Sequence, residues 1–227
     1  MRSIGLSLVC LLPLLAGCGG GSESGVASAD WKKSVDVFGV YIKATNCVSD
    51  AKVMHAAKVL AEYLDNNNNG VIDNSAVVEK IKAKSSAFVG MTCESEGVEA
   101  KGIELFAEET RPEGSSVSGG FDASLEEILH LITEIGYAGA YSSVFGERKG
   151  TTIGNAMDTA RGGYREEGQP VSDYPAGAWY TYDDRSCDYG CHVTEYTYWG
   201  LTSILGSSSP VGRINCSTTT PLDFSSS

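Results

Sequence analysis

The feature that most constrains this chain is a polar run at 65–74, DNNNNGVIDN, which separates two helical patterns. Before it, apolar residues recur at spacings of three and four from Val53 to Leu64, as in an amphipathic helix. After it, SAVVEKIKAK from Ser75 has the pattern of a second helix. Asparagine and glycine favour turns because they tolerate left-handed backbone conformations. The sequence therefore predicts a helix, a tight polar loop and a second helix.

The first residues have the layout of an export signal. Arg2 precedes a short apolar run from Ile4 to Leu15, which is too short to span a bilayer. The residues LLAGC resemble the bacterial lipobox, which is cleaved before a cysteine that then carries lipid. This resemblance implies lipidation of Cys18, removal of residues 1–17 and anchoring in the cell envelope, at the outer membrane if the cell is Gram-negative. An ordinary secretory signal is the alternative, and it would also export the protein.

The chain is strongly acidic, with 29 acidic and 17 basic side chains and a formal net charge of -12. This charge disfavours nucleic acid and anionic lipid as partners, because both are negatively charged. It is compatible with the binding of cations. We therefore expect no nucleic-acid partner, and membrane contact only through the lipid anchor.

The cysteines indicate a disulfide framework. One of the seven leaves with the signal and one would carry the lipid, so five remain in a compartment that permits disulfides. Cys47 and Cys93 flank the polar run and are expected to pair. Cys187 and Cys191 are the expected second pair, which leaves Cys216 free.

The polar run resembles the calcium loops of EF-hand and dockerin domains. An EF-hand loop supplies oxygens from positions 1, 3, 5, 7 and 9, with glycine at position 6. The ligands implied by the resemblance are Asp65, Asn67, Asn69, the Val71 carbonyl and Asp73. Position 12, a bidentate glutamate in EF-hands, is Ala76, so we expect weak binding, at about 10⁻⁴ to 10⁻³ M. An asparagine-rich turn without metal is the alternative.

A second candidate metal site lies in SLEEILHLITEIGY. Glu126 and His130 are four residues apart and share one face of the predicted helix, with Glu127 between them. The pattern resembles the HExxH helix of zinc metallopeptidases, with Glu126 in place of the first histidine. In the gluzincin group a downstream helix adds a glutamate, so the resemblance implies a zinc site of Glu126, His130 and Glu195, with Glu127 as the catalytic base. The alternative is a solvated glutamate-rich helix face.

Aromatic residues are concentrated at 173–200, around the second cysteine pair. Aromatic rings beside aspartates can stack on sugars, which predicts a carbohydrate- or protein-binding surface near Trp179 and Tyr182. The alternative is that these rings pack in the interior around the disulfide, where they contribute a large buried area.

No β-type run is long enough to predict a strand, and helical patterns also begin at Ser124 and cover 155–161 and 192–205. We therefore predict a mainly α fold, in which a helix-loop-helix calcium module packs with further helices and long Gly/Tyr-rich loops, supported by disulfides. The predicted boundaries are a signal peptide at 1–17, a flexible tether at 18–30, a helical region with the calcium loop at 31–111, a second helical and loop region at 112–206 and a disordered tail at 207–227.

The expected function is that of an exported, lipid-anchored protein with a structural calcium loop and no assigned activity. A metal-dependent hydrolase and a surface carbohydrate- or protein-binding module are the two alternatives.

Overall fold

The computed structural model describes residues 27–114, 121–164, 174–184 and 186–205. They form a mixed α/β fold, so the prediction of a mainly α fold is wrong. The strands are β1 (Lys33–Val37), β2 (Val40–Ala44), β3 (Val89–Thr92) and β4 (Ile103–Phe106). Each has only four or five residues. For β3 and β4, which have four residues each, so short an apolar run has no period that separates a strand from a buried piece of helix.

The four strands form one sheet in the order β1-β2-β3-β4. β1 and β2 are an antiparallel hairpin, while β2, β3 and β4 are parallel to their neighbours. The hairpin turns at Phe38 and Gly39, which both have positive φ, +55° and +85°. A two-residue turn of this kind matches the twist of the strands it joins. β4 is an edge strand, and the candidate site lies beside it.

Two helices connect β2 to β3, namely α1 (Asp50–Leu64) and α2 (Ser75–Lys82). Each begins at a side-chain cap. The Ser49 hydroxyl accepts the Lys52 backbone N–H, and the Asn74 amide oxygen accepts that of Val77. Such caps satisfy backbone donors that have no partner within the helix. The predicted order of helix, polar loop and helix is therefore present.

Helix α3 changes its geometry along its length. It is α-helical over Ser124–His130, π-helical over Leu131–Tyr137 and α-helical again over Ala138–Ala140. π-helical turns are rare in proteins, and many of those that occur lie at functional sites. Here the change follows His130 directly. Two further helices are α4 (Thr152–Ala160) and α5 (Tyr189–Ile204).

The described residues bury two hydrophobic clusters. The larger joins the sheet to α1, α2 and α3, and its fully buried members include Ile42, Leu60, Ile81, Leu105 and Ile128. The smaller joins α4, α5 and the segment before α5, through Met157, Ala160, Tyr180, Tyr189 and Val193. The two clusters meet where α3 packs against α5.

Both predicted disulfides are confirmed. Cys47–Cys93 links the residues that follow β2 and β3, and Cys187–Cys191 lies at the start of α5. The first bond closes a sequence separation of 46 residues. Removing a native disulfide from a small domain typically costs about 2–5 kcal/mol. Cys18 and Cys216 lie outside the described residues.

The predicted tether is described only at its end, where Ser28 forms a bridge with Glu99. The signal peptide and the tail at 207–227 lie outside the described residues, so those boundaries stay predictions. Within the described residues, no helix has the length and apolar character that crossing a bilayer requires.

Gly136 marks the closest approach of α3 to α2. A Cβ at this position would lie 2.5 Å from Val77 Cγ1 and 3.2 Å from Ile81 Cδ1. Both neighbours are buried, so they have little room to move. We expect Gly136→Ala to lower the free energy of unfolding by about 1–3 kcal/mol, measured by urea unfolding, although alanine is the better helix former.

Gly200→Ala in α5 is the matched control, because no atom would lie within 4 Å of its Cβ. This substitution should leave the free energy of unfolding unchanged or raise it by up to about 1 kcal/mol. Equal effects of the two substitutions would show that the close approach at Gly136 is absent in solution.

Candidate metal centre

The structure brings Glu126, His130 and Glu195 together. Their ligand atoms all lie within 4.8 Å of one another, and His130 Nε2 is 4.0 Å from Glu195 Oε1. Glu126 and His130 are four residues apart in the α-helical part of α3, so they share a face. Glu195 comes from α5. The three residues of the expected zinc site thus converge from two helices that are far apart in sequence.

His130 has the environment of a metal-binding histidine. The residue is 8% exposed, and its Nε2 has no hydrogen-bond partner among the described residues. Its Nδ1 lies 3.5 Å from Glu127 Oε2. A buried polar atom without a partner is costly. Metal-binding histidines commonly direct the other ring nitrogen to a carboxylate, which fixes the tautomer, and Glu127 occupies that position.

Two aromatic residues orient Glu195. Its Oε2 accepts a hydrogen bond from Trp199 Nε1 at 3.2 Å, and its carboxyl group also bonds to the Tyr182 hydroxyl. The Trp199 ring stacks on Phe121 with ring centroids 6.5 Å apart. The bond from Trp199 holds Oε2, and Oε1 lies 4.0 Å from His130 Nε2.

The electrostatics of the cluster favour protons or a cation. Burial, and then the charge of Glu195, raise the pKa of Glu126. Burial also raises the pKa of Glu195. Burial alone would lower the pKa of His130, but Glu127, Glu195 and Glu126 outweigh it and the pKa is raised. Nearby carboxyl groups in a poorly solvated place retain a proton. A divalent cation could replace that proton.

Two members of the cluster, His130 and Glu195, line a pocket of about 680 Å³ between β4, α3 and the start of α5, and Glu126 lies behind this lining. The acidic residues that line the pocket are Glu104, Glu109, Glu127, Glu134, Glu147, Asp188 and Glu195. Among the described residues that line it, none is lysine or arginine. Glu147 accepts a hydrogen bond from the Thr194 hydroxyl. Burial, and then the charges of Glu134 and Asp188, raise the pKa of Glu147 to about 7.

Sequence reasoning missed several of these residues. Glu134 lies four residues after His130, and Trp199 four residues after Glu195, so helical spacing could have indicated both. Glu104 and Glu147 lie in a strand and a loop, and no local pattern indicates that they face α3.

The polar loop is closed by its own side chains. The Asp65 carboxylate accepts the backbone N–H groups of Asn69 and Gly70, at 3.1 and 2.7 Å. Asp73 accepts the Asn66 N–H at 2.8 Å and the Asn67 side-chain amide at 3.3 Å. Asn69 Oδ1 accepts the Val71 N–H. Each carboxylate oxygen keeps a second lone pair. Calcium binding therefore stays a prediction, and the metal-free turn stays its alternative.

The aromatic region packs mainly inside the fold. Tyr180, Tyr189 and Tyr198 are buried, and Tyr182 is partly buried beside Glu195. Trp179 is 52% exposed. The proposed binding surface therefore has one well-exposed ring at its predicted centre.

Comparison of the chain with protein-family models, with curated proteins and with solved structures finds no match. The interpretation of the metal centre therefore depends on its geometry.

The raised pKa values predict a pH dependence for the metal-free protein. A carboxyl group whose pKa is raised on folding stabilises the fold below its unfolded pKa, and this stabilisation is lost as the pH rises through the folded pKa. For Glu147 the change runs from an ordinary 4.5 to about 7. We expect the melting temperature of chelator-treated protein to fall between about pH 5 and 8.

Glu147→Gln should reduce this slope, because glutamine does not titrate. Glu113→Gln is the control, since Glu113 is exposed and outside the pocket lining. Melting curves at several pH values make the comparison. An unchanged slope in Glu147→Gln would contradict the assignment.

Proposed function

We propose that the chain is a metal-dependent hydrolase whose divalent metal ion, zinc or a similar first-row ion, is bound by Glu126, His130 and Glu195. The observation that carries this proposal is the convergence of the three ligand atoms, within 4.8 Å of one another, where His130 and Glu195 line a pocket large enough for a substrate. One imidazole nitrogen and two carboxylates suit such ions. Three protein ligands also leave coordination positions for water and substrate, as catalytic zinc sites do.

The chain's own residues support hydrolysis in this pocket. A metal ion of this kind, held by these residues, would lower the pKa of a bound water molecule to about 7. Glu127 lines the pocket, and its side chain is 30% exposed, so its carboxylate is open to a reacting group. It can accept a proton from the attacking water and pass it to the leaving group. The Glu127 carboxylate also lies 3.5 Å from His130 Nδ1, so it orients the imidazole ring.

The lipobox-like LLAGC supports export and lipid anchoring through Cys18, and the two disulfides are consistent with an oxidising compartment.

We further propose that the 65–74 loop binds calcium weakly and braces the fold. The support is the pair of carboxylates, Asp65 and Asp73, which face the same short loop.

Two substitutions separate metal binding from chemistry. His130→Ala should weaken zinc binding by more than the ~10–100-fold that loss of an outer-shell partner costs, because it removes a ligand. Glu127→Gln should weaken zinc binding by no more than about 10–100-fold, because it changes only an outer-shell partner, and at saturating zinc it should lower turnover by about 10²–10⁴-fold, as expected on loss of a general base. Equilibrium dialysis with elemental analysis measures zinc, and mass spectrometry of a peptide mixture measures cleavage.

His55→Ala is the matched histidine control, because His55 lies in α1 and pairs with Asp122 outside the cluster. It should retain one equivalent of zinc. Stoichiometric zinc binding by His130→Ala would contradict the proposed metal centre. Unchanged cleavage by Glu127→Gln would show that Glu127 is not the general base.

Calcium titration tests the loop. Millimolar calcium should raise the melting temperature and shift the amide signals of Asn67 and Asn69, because the expected affinity is about 10⁻⁴ to 10⁻³ M. Asp65→Asn should abolish both effects, while Asn66→Ser, at an exposed position outside the ligand set, should not. If calcium moves neither observable in the unsubstituted protein, the loop is a turn only.

A further inference from the structure

The pocket holds more negative charge than one metal ion neutralises. With Glu195 assigned to the metal, six lining carboxyl groups remain, namely Glu104, Glu109, Glu127, Glu134, Glu147 and Asp188. They come from both sides of the pocket. Glu134 and Asp188 act on Glu147 from α3 and the start of α5. Glu109 follows β4 on the opposite side. Burial raises the pKa of Glu109, and the charge of Glu127 raises it further.

Apart from His130, which lies 3.5 Å from Glu127, these carboxyl groups have no cationic side chain beside them in the described lining of the pocket. Among the described residues that line it, none is lysine or arginine. Arg111 lowers the pKa of Glu109 from outside the lining, but its guanidinium donates to the carbonyl oxygen of Glu108. Glu104, Glu134 and Glu147 are partly buried. A partly buried carboxylate that no cation neutralises is costly, and this cost is relieved when a cation binds.

Two buried polar atoms without hydrogen-bond partners among the described residues indicate that the pocket binds a ligand. His130 Nε2 lies at its wall, nine-tenths buried and without a hydrogen-bond partner among the described residues. Glu104 Oε1 is likewise buried without a partner in the described chain. Native proteins rarely leave such atoms unpaired unless a ligand, water or ion serves them.

We propose that the pocket is a subsite for a cationic group of the substrate, the ammonium of a lysine side chain in a peptide or a group of the same chemistry. This inference rests on the proposed function, since it names the substrate class of the same site. Ile103 and Phe106 of β4 line the pocket with the carboxyl groups. They offer apolar surface to the aliphatic stem of the side chain, while its charged head reaches Glu134 and Glu147.

The test compares two blocked pentapeptides, each with four alanines and either lysine or norleucine in the centre. Norleucine keeps the stem and removes the charge. Isothermal titration of the zinc-loaded full chain should give binding at least about tenfold tighter for the lysine peptide. Glu134→Gln/Glu147→Gln should remove this preference, while the exposed pair Glu79→Gln/Glu113→Gln should keep it.

Further arms separate the competing explanations. Displacement of the lysine peptide by spermidine would support a subsite for cationic groups. Tighter binding of spermidine than of the lysine peptide would show that the ligand of the subsite is a free polyamine and would overturn the peptide assignment. Equal binding of the two peptides, or no binding of either, overturns the proposal. Uptake of a second zinc equivalent that the double variant loses also overturns it, because the carboxyl groups then bind metal. A lysine preference without peptide cleavage leaves the subsite and rejects only the hydrolase.

Discussion

The contact between α3 and α5 is the interaction on which the site depends. α3 belongs to the core that covers the sheet, and α5 belongs to the smaller cluster around Met157. Their contact places Glu195 beside His130, and the ring of Tyr198 packs edge-on against His130 with centroids 5.9 Å apart. Burial raises the pKa of Glu126, and the charge of Glu195, which the same contact brings close, raises it further. Aromatic packing between α3 and α5 therefore offsets the cost of placing titratable groups in a poorly solvated contact.

The π-helical part of α3 links the two halves of the pocket. His130 is the last residue before it, and Glu134 lies within it. A π-helix bonds residue i to residue i+5, so its turns are wider than those of an α-helix. Residues four apart therefore stay close to one face, which agrees with His130 and Glu134 both lining the pocket. One helix thus supplies the imidazole of the proposed metal centre and a carboxylate of the proposed cationic subsite.

The sequence predicts local spacing well and distant neighbours poorly. The shared face of Glu126 and His130 follows from helical geometry, and the place of Glu195 came only from a resemblance. β1 and β2 did carry a signal, because apolar residues alternate on both sides of Phe38-Gly39. β3 and β4 carry none, since four residues with parallel partners from distant segments have no local pattern. The same limit hides Glu104 and Glu147, which reach the pocket through the tertiary fold.

The charge of the pocket ties the stability of the fold to its ligands. Glu147 and Glu126 both have raised pKa values, so the metal-free fold is favoured when they hold protons. A metal ion at Glu126, His130 and Glu195 would replace one proton, and an ammonium group near Glu134 and Glu147 would remove the repulsion between them. A ligand that binds only the folded state stabilises that state by mass action. If the proposed metal ion and cationic substrate bind only the folded state, the acidic wall makes the fold most stable when both are bound.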